Sequence, residues 1–160
     1  MKSVLQKALF VTIVLSGLQL SCAGKPPAVI GVTDGRLAPC PDRPNCVSSM
    51  AVDDKDHYVE PFAYSIEKRQ ARQVLQQVVV SQDRATIVDQ SDEYLRLQFK
   101  SRIFRFVDDV EFYFPRNESL IHVRSASRVG HSDMGVNRKR IERIRSQFRE
   151  AADRIMEKMN

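Results

Sequence analysis

The chain has 160 residues, 42% hydrophobic and 28% charged, which suits one globular domain plus a leader. Its formal charge is +5, from 25 Lys and Arg against 20 Asp and Glu, a modest surplus that demands no polyanionic partner. Rossmann and P-loop glycine patterns, Gly-x-Ser-x-Gly and His-Glu-x-x-His are all missing, so the usual nucleotide-binding, esterase and zinc-protease signatures are excluded.

Residues 1–22 read as an export signal. Lys2 and Lys7 form a positive start, Ala8–Leu18 an apolar stretch, and Ser21, Cys22 and Ala23 are small residues at cleavage distance. The stretch is too short for an ordinary spanning helix. Two processing outcomes compete: lipidation of Cys22, with Gln19 standing where an aliphatic residue is usual, or cleavage after Ala23 at the small-x-small run Ser21-Cys22-Ala23. Ala23, Gly24, Lys25, Pro26 and Pro27 have the composition of a flexible tether over residues 23–36, which favours a lipoprotein held to the membrane by its anchor. Ala23 directly after the Cys resembles the signal for the outer membrane, facing the periplasm; a soluble periplasmic protein is the alternative. Loss of Lys2 and Lys7 with the leader reduces the charge to +3.

The single domain is expected over residues 37–160. With Cys22 consumed or removed, Cys40 and Cys46 remain as an even pair in an oxidising compartment, and Pro41-Asp42-Arg43-Pro44-Asn45 is a turn able to bring them within bridging distance. A structural disulfide follows, since two Cys without a nearby His do not make a zinc set. Val47–Pro61 reads as loop, with Asp53, Asp54 and Asp56 a solvated acidic run too sparse for a calcium loop.

Ser65 is a good N-cap for a helix over 66–81, whose face Ala71, Val74, Leu75, Val78 and Val79 should lie on a sheet. Strands are expected at Thr86–Val88 and Tyr94–Phe99, the second with Leu95, Leu97 and Phe99 inward. Lys100, Ser101 and Arg102 then turn into a strand over Ile103–Phe114. Its alternation sets Phe104, Phe106, Val110, Phe112 and Phe114 inward, and Arg105, Val107, Asp109, Glu111 and Tyr113 outward. Pro115–Glu118 supply a turn into a strand over Ser119–Ala126. Pairing Phe114 with Ser119 would oppose Asp109 to Arg124, Glu111 to His122 and Asp108 to Ser125.

Asp108 is the anomaly, a carboxylate on an aromatic face. Buried, it must be hydrogen-bonded, paired or protonated, and Ser125, Ser127, Arg128 or a loop amide are partners in reach. A bulge at Asp108 and Asp109 would instead turn both outward. After the loop Arg128–Gly135, a helix runs to about Lys158, capped by Asn137 with Val136 and Ile141 as a staple. Arg138, Lys139 and Arg140 fall in its first turn, where the helix dipole disfavours positive charge, so an anionic partner is invited: Asp108, Asp133 or a ligand. Eight Lys and Arg against four Asp and Glu over Arg138–Lys158 carry the surplus of the whole chain.

The segments LAPCPDRPNCVSS, FVDDVEF and VRSASRVGHSDMGVNRKRIERIR resemble the bacterial and plastid family filed as domain of unknown function 1499. The resemblance covers about Leu37 to Phe148 and implies a shared fold with no assigned activity.

The element order helix, four strands, helix describes an α+β two-layer domain: a four-stranded antiparallel sheet with both helices on one face. Its other face would carry Tyr94, Arg96, Gln98, Arg105, Asp109, Glu111, His122 and Arg124, as one polar sheet face commonly does. The functional expectation is a noncatalytic binding or interaction module. Arg124, Arg128, Arg138 and Arg140, with Asp108 and Asp133, would form an anion-contacting site for an anionic envelope component or another envelope protein. No cofactor, metal or nucleic acid is expected, because the leader exports the chain and no aromatic-basic platform stands out. The rival is an envelope hydrolase using Asp108, His131 and Asp133, which requires the three to converge in a pocket.

Overall fold

The computed structural model describes residues 24, 25, 27 and 29–159. The export signal, the lipidation residue Cys22 and the rival cleavage after Ala23 lie outside the described residues. Among the described residues no helix is long and apolar enough to cross a membrane.

In chain order the elements are β1 (Val32–Thr33), β2 (Arg36–Leu37), β3 (Cys46–Ser48), β4 (Phe62–Ala63), α1 (Lys68–Val80), β5 (Ala85–Gln90), β6 (Tyr94–Lys100), β7 (Val107–Tyr113), β8 (Leu120–Ser127) and α2 (Val136–Met159). The class is α+β as expected, but the main sheet has six strands, not four. It runs β3-β8-β7-β6-β5, and β4 also pairs with β8. The additions are short: β3 meets Arg124–Ala126 of β8, and β4 meets Leu120 and Ile121. Strands of three and two residues inside a turn-rich stretch are too short to show alternation in sequence. Together they cover an edge of β8 that would otherwise offer unpaired amides.

Helix α1 buries Ala71, Val74, Leu75, Val78 and Val79, the expected face. It starts two residues late: Glu67, not Ser65, is the N-cap, and Gln70 Oε1 accepts the Glu67 amide at 3.2 Å. Both helices pack on the face of Leu95, Leu97, Phe99, Val110, Phe112, Ile121 and Val123, closed by Ile141, Ile144 and Phe148 of α2. Arg145 anchors α2 from the side, stacking over Phe62 at 4.7 Å and donating to the Pro61 carbonyl at 2.7 Å.

The β7–β8 register is displaced by two residues from expectation. Asp109 faces Ala126, Glu111 faces Arg124 and Asp108 faces Ser127, because the connection runs from Phe114 through Ser119. An even displacement keeps every side chain on its face and changes only its neighbour. No bulge interrupts β7 at Asp108 and Asp109. The strand also begins at Val107 instead of Ile103. Residues 101–106 close a turn through Ser101 N to the Phe106 carbonyl at 2.8 Å and Phe106 N to Ser101 Oγ at 2.9 Å, with Arg105 in the left-handed region at φ 55°. Phe104 and Phe106, expected inward, therefore stand out at 65% and 40% exposure.

The second sheet face is not open to water. Asp109 and Glu111 have no exposed area: Arg128 and Arg96 close on the first, and the segment read as a tether folds back onto the second. Asp34 and Gly35, at φ 50° and 71°, make the two-residue turn of the β1–β2 hairpin, and Gly31 N donates to Glu111 Oε1 at 2.7 Å. Leu37 and Ala38 are buried, and the Cys40–Cys46 disulfide, with Cα atoms 5.6 Å apart, fixes the entry to β3. The Asp-Gly pair carried the hairpin signal; the flanking Pro and Gly content obscured it.

Candidate functional site

Three of the arginines expected to meet a ligand point inward. Arg128 grips Asp109 with two bonds, Nε to Oδ2 at 2.6 Å and Nη2 to Oδ1 at 2.9 Å, a fork geometry that suits a carboxylate. That contact raises the Arg128 pKa further, and Arg96 reaches the same carboxylate at 3.5 Å. Arg124 Nη1 donates to Glu111 Oε2 at 3.0 Å, while Glu111 Oε1 also accepts the Tyr94 hydroxyl at 2.8 Å. Burial, then the neighbouring Glu111 carboxylate, pushes the Tyr94 phenol well above its ordinary value. These contacts hold the face beneath the N-terminal strap together.

On the helix face, Arg140 resolves the Asp108 anomaly. Its Nη2 lies 2.5 Å from Asp108 Oδ2, its Nη1 donates to Asn137 Oδ1 at 2.6 Å, and its guanidinium stacks 4.6 Å over Phe99. Asn137 does not cap α2. It is fully buried, takes a bond from Ser125 Oγ at 2.5 Å and gives bonds to the Asn45 carbonyl and Ser127 Oγ, both at 3.0 Å. Asp133 answers the helix end instead, accepting the Gly135 amide at 2.9 Å and the Asn137 amide at 2.6 Å. Val136 is exposed while Ile141 is buried, so the expected staple is not a buried contact. Arg138, the fourth arginine, donates to the carbonyls of Tyr58 at 2.6 Å and Asp56 at 2.7 Å.

The accessible positive charge lies elsewhere. A groove of about 690 Å³ opens between the end of α1, the start of α2 and the β5–β6 edge. Six cations line it, Arg84, Lys100, Arg102, Lys139, Arg140 and Arg143, against the carboxylates of Asp83 and Asp108. Asp108 is engaged by Arg140, and among the described residues the other five cations stand in no ion pair. Arg84 and Arg143 are braced by neutral acceptors, the Lys100 carbonyl at 3.1 Å and Gln82 Oε1 at 3.2 Å, which orient a guanidinium without neutralising it. Of these residues Lys139 and Arg140 were legible beforehand, as cations of the α2 first turn. The rest come from three separate stretches of chain, and the i, i+4 spacing of Lys139 and Arg143 was the one further local hint.

Asp108, His131 and Asp133 do not assemble a hydrolase site. Asp108 holds Arg140, both Asp133 oxygens accept backbone amides, and His131 is exposed on its loop. A different trio does come together in a cleft of about 550 Å³: His122 Nδ1 lies 3.0 Å from Ser49 Oγ and Nε2 3.5 Å from Glu118 Oε2. The serine there is not a free nucleophile. It is 3% exposed and its oxygen already accepts the Val123 amide at 2.9 Å, so it pins the turn following β3 to β8. The acidic loop is likewise structural: Asp54 Oδ2 meets His57 Nδ1 at 2.5 Å, and His57 Nε2 faces the Arg43 carbonyl at 3.0 Å.

The family model described as Protein of unknown function (DUF1499) matches residues 36–148, well over half of the chain. No curated protein matches. No solved structure matches either.

Proposed function

The chain belongs to the DUF1499 family, whose description assigns no activity, and from that premise we propose an exported, lipid-anchored envelope protein whose domain is a noncatalytic anion-binding module. The anion would sit in the groove of Lys139, Arg143, Arg84, Lys100 and Arg102, with Arg140 on its floor. One observation carries this: an excess of four positive charges along a single concave surface, five of the six cations unpaired among the described residues. Like charges gathered so closely repel one another, and a bound anion relieves that repulsion. Arg124 and Arg128, held by Glu111 and Asp109, support the fold and do not reach the ligand.

Calorimetric titration of the mature chain with inorganic pyrophosphate and with a heparin oligosaccharide tests the proposal. Binding should weaken as salt is raised, and Lys139→Glu with Arg143→Glu should weaken it by at least about tenfold. Absence of binding to either anion, or an affinity indifferent to the double charge reversal, would refute it.

A further inference from the structure

We infer that the β6–β7 turn is a wedge that enters an anionic lipid bilayer, with the basic groove beside it resting on the headgroups. This rests on the groove being an anion site, and it names a membrane surface as the source of the anion.

Four observations meet at one end of the sheet. Ile103, Phe104 and Phe106 are 79%, 65% and 40% exposed in the turn between β6 and β7, and the two phenyl rings stack with centroids 5.4 Å apart. Large apolar groups held out together on a closed turn lose little further freedom on insertion, and they gain by leaving water. Cations frame the tip: Lys100, Arg102 and Arg105 are all exposed, and Lys100 and Arg102 also line the groove. An apolar centre in a basic rim complements the acyl and headgroup layers of an anionic bilayer, each cation near such a surface adding to the attraction. A second copy of this chain would bring the same cations against one another.

The last observation concerns the N-terminal side of the domain. Gly24 lies so close to the β8–α2 loop that a Cβ there would come within 2.7 Å of Val129 Cγ1, and Arg128 N donates to the carbonyl of Val107, next to Phe106, at 3.0 Å. Gly24 is two residues beyond Cys22, the expected lipidation point. Gly24, close in sequence to that point, thus lies at the same end of the sheet as the wedge.

The chain has no Trp, so Phe104→Trp places a single reporter on the wedge. The full chain carrying it is reconstituted into vesicles of phosphatidylglycerol and phosphatidylcholine containing brominated acyl chains. Val52→Trp, exposed beside Tyr113 and Arg116 at the opposite end, is the control. Trp emission from the wedge should shift to shorter wavelength and be quenched in the anionic vesicles, while the control stays unquenched; adding Arg102→Glu and Lys139→Glu should abolish the shift. A wedge reporter that is unquenched, or quenched equally in pure phosphatidylcholine or by the control, overturns the inference. Pyrophosphate titration of the same Phe104→Trp chain separates the two claims: retained anion affinity without quenching sinks the wedge alone, and loss of both sinks the groove as well.

Discussion

At the scale of single residues, the polar side chains that stood out in the sequence mostly serve each other. His57 shows how. Its two ring nitrogens face a carboxylate and a carbonyl, so the doubly protonated ring, which donates from both, fits the site best. The Asp54 hydrogen bond, reinforced by the Arg43 carbonyl, raises the His57 pKa above its ordinary 6.5, and the same bond to His57 lowers that of Asp54 below 3.8. A raised histidine pKa gives stability that is complete below 6.5 and disappears as pH rises through the folded value. The lowered Asp54 value gives stability that is complete above 3.8 and disappears as pH falls through its folded value. The Asp54–His57 clamp is therefore strongest between those limits. In an NMR titration, the His57 ring should titrate above 6.5 in the native chain and fall back toward it in Asp54→Asn; an unchanged midpoint in that variant would dissociate the two groups. The sequence exposed Asp108 as a misfit and supplied the right kind of partner, a cation from the α2 first turn, yet nothing local distinguished Arg140 from Arg138, two residues earlier and facing a different part of the chain.

At the scale of elements, periodicity served the apolar faces and failed the polar ones. The α1 face and the Leu95, Leu97 and Phe99 face were legible because burial on one side writes a period into the chain. The outer face of β7 and β8 also alternates, but alternation reports only that a face is polar, not that it is open. Here a non-periodic strap and the arginines themselves cover it, so Asp109 and Glu111 became buried ions compensated by arginine. Stability should depend on that pairing. Asp109→Ala strands Arg128 and Arg96 and should lower unfolding free energy by about 3–5 kcal/mol in urea denaturation. Asp109→Leu combined with Arg128→Met removes both members of the closest pair and should recover part of the loss. A single variant within about 1 kcal/mol of the parent would mean that water reaches the face after all.

At the scale of the whole molecule, two groups of cations stand out among the described residues. One is turned inward and neutralised on Asp108, Asp109 and Glu111; the other is gathered at the groove and along the β6–β7 turn. No local pattern separates them, because the groove is assembled from residues 84, 100, 102, 139, 140 and 143, which only the packing of α2 against the sheet brings together. The family motif drew attention to the first population, whose work is to hold the fold. The proposed function belongs to the second. The most direct test is pyrophosphate titration of Arg128→Ala, made at a temperature where the variant is folded, beside Lys139→Glu. The expected result is that Arg128→Ala binds with parental affinity despite its lower melting temperature, while Lys139→Glu melts like the parent and binds several-fold more weakly. Weakened binding in Arg128→Ala together with parental binding in Lys139→Glu would place the anion on the inward arginines and contradict the assignment.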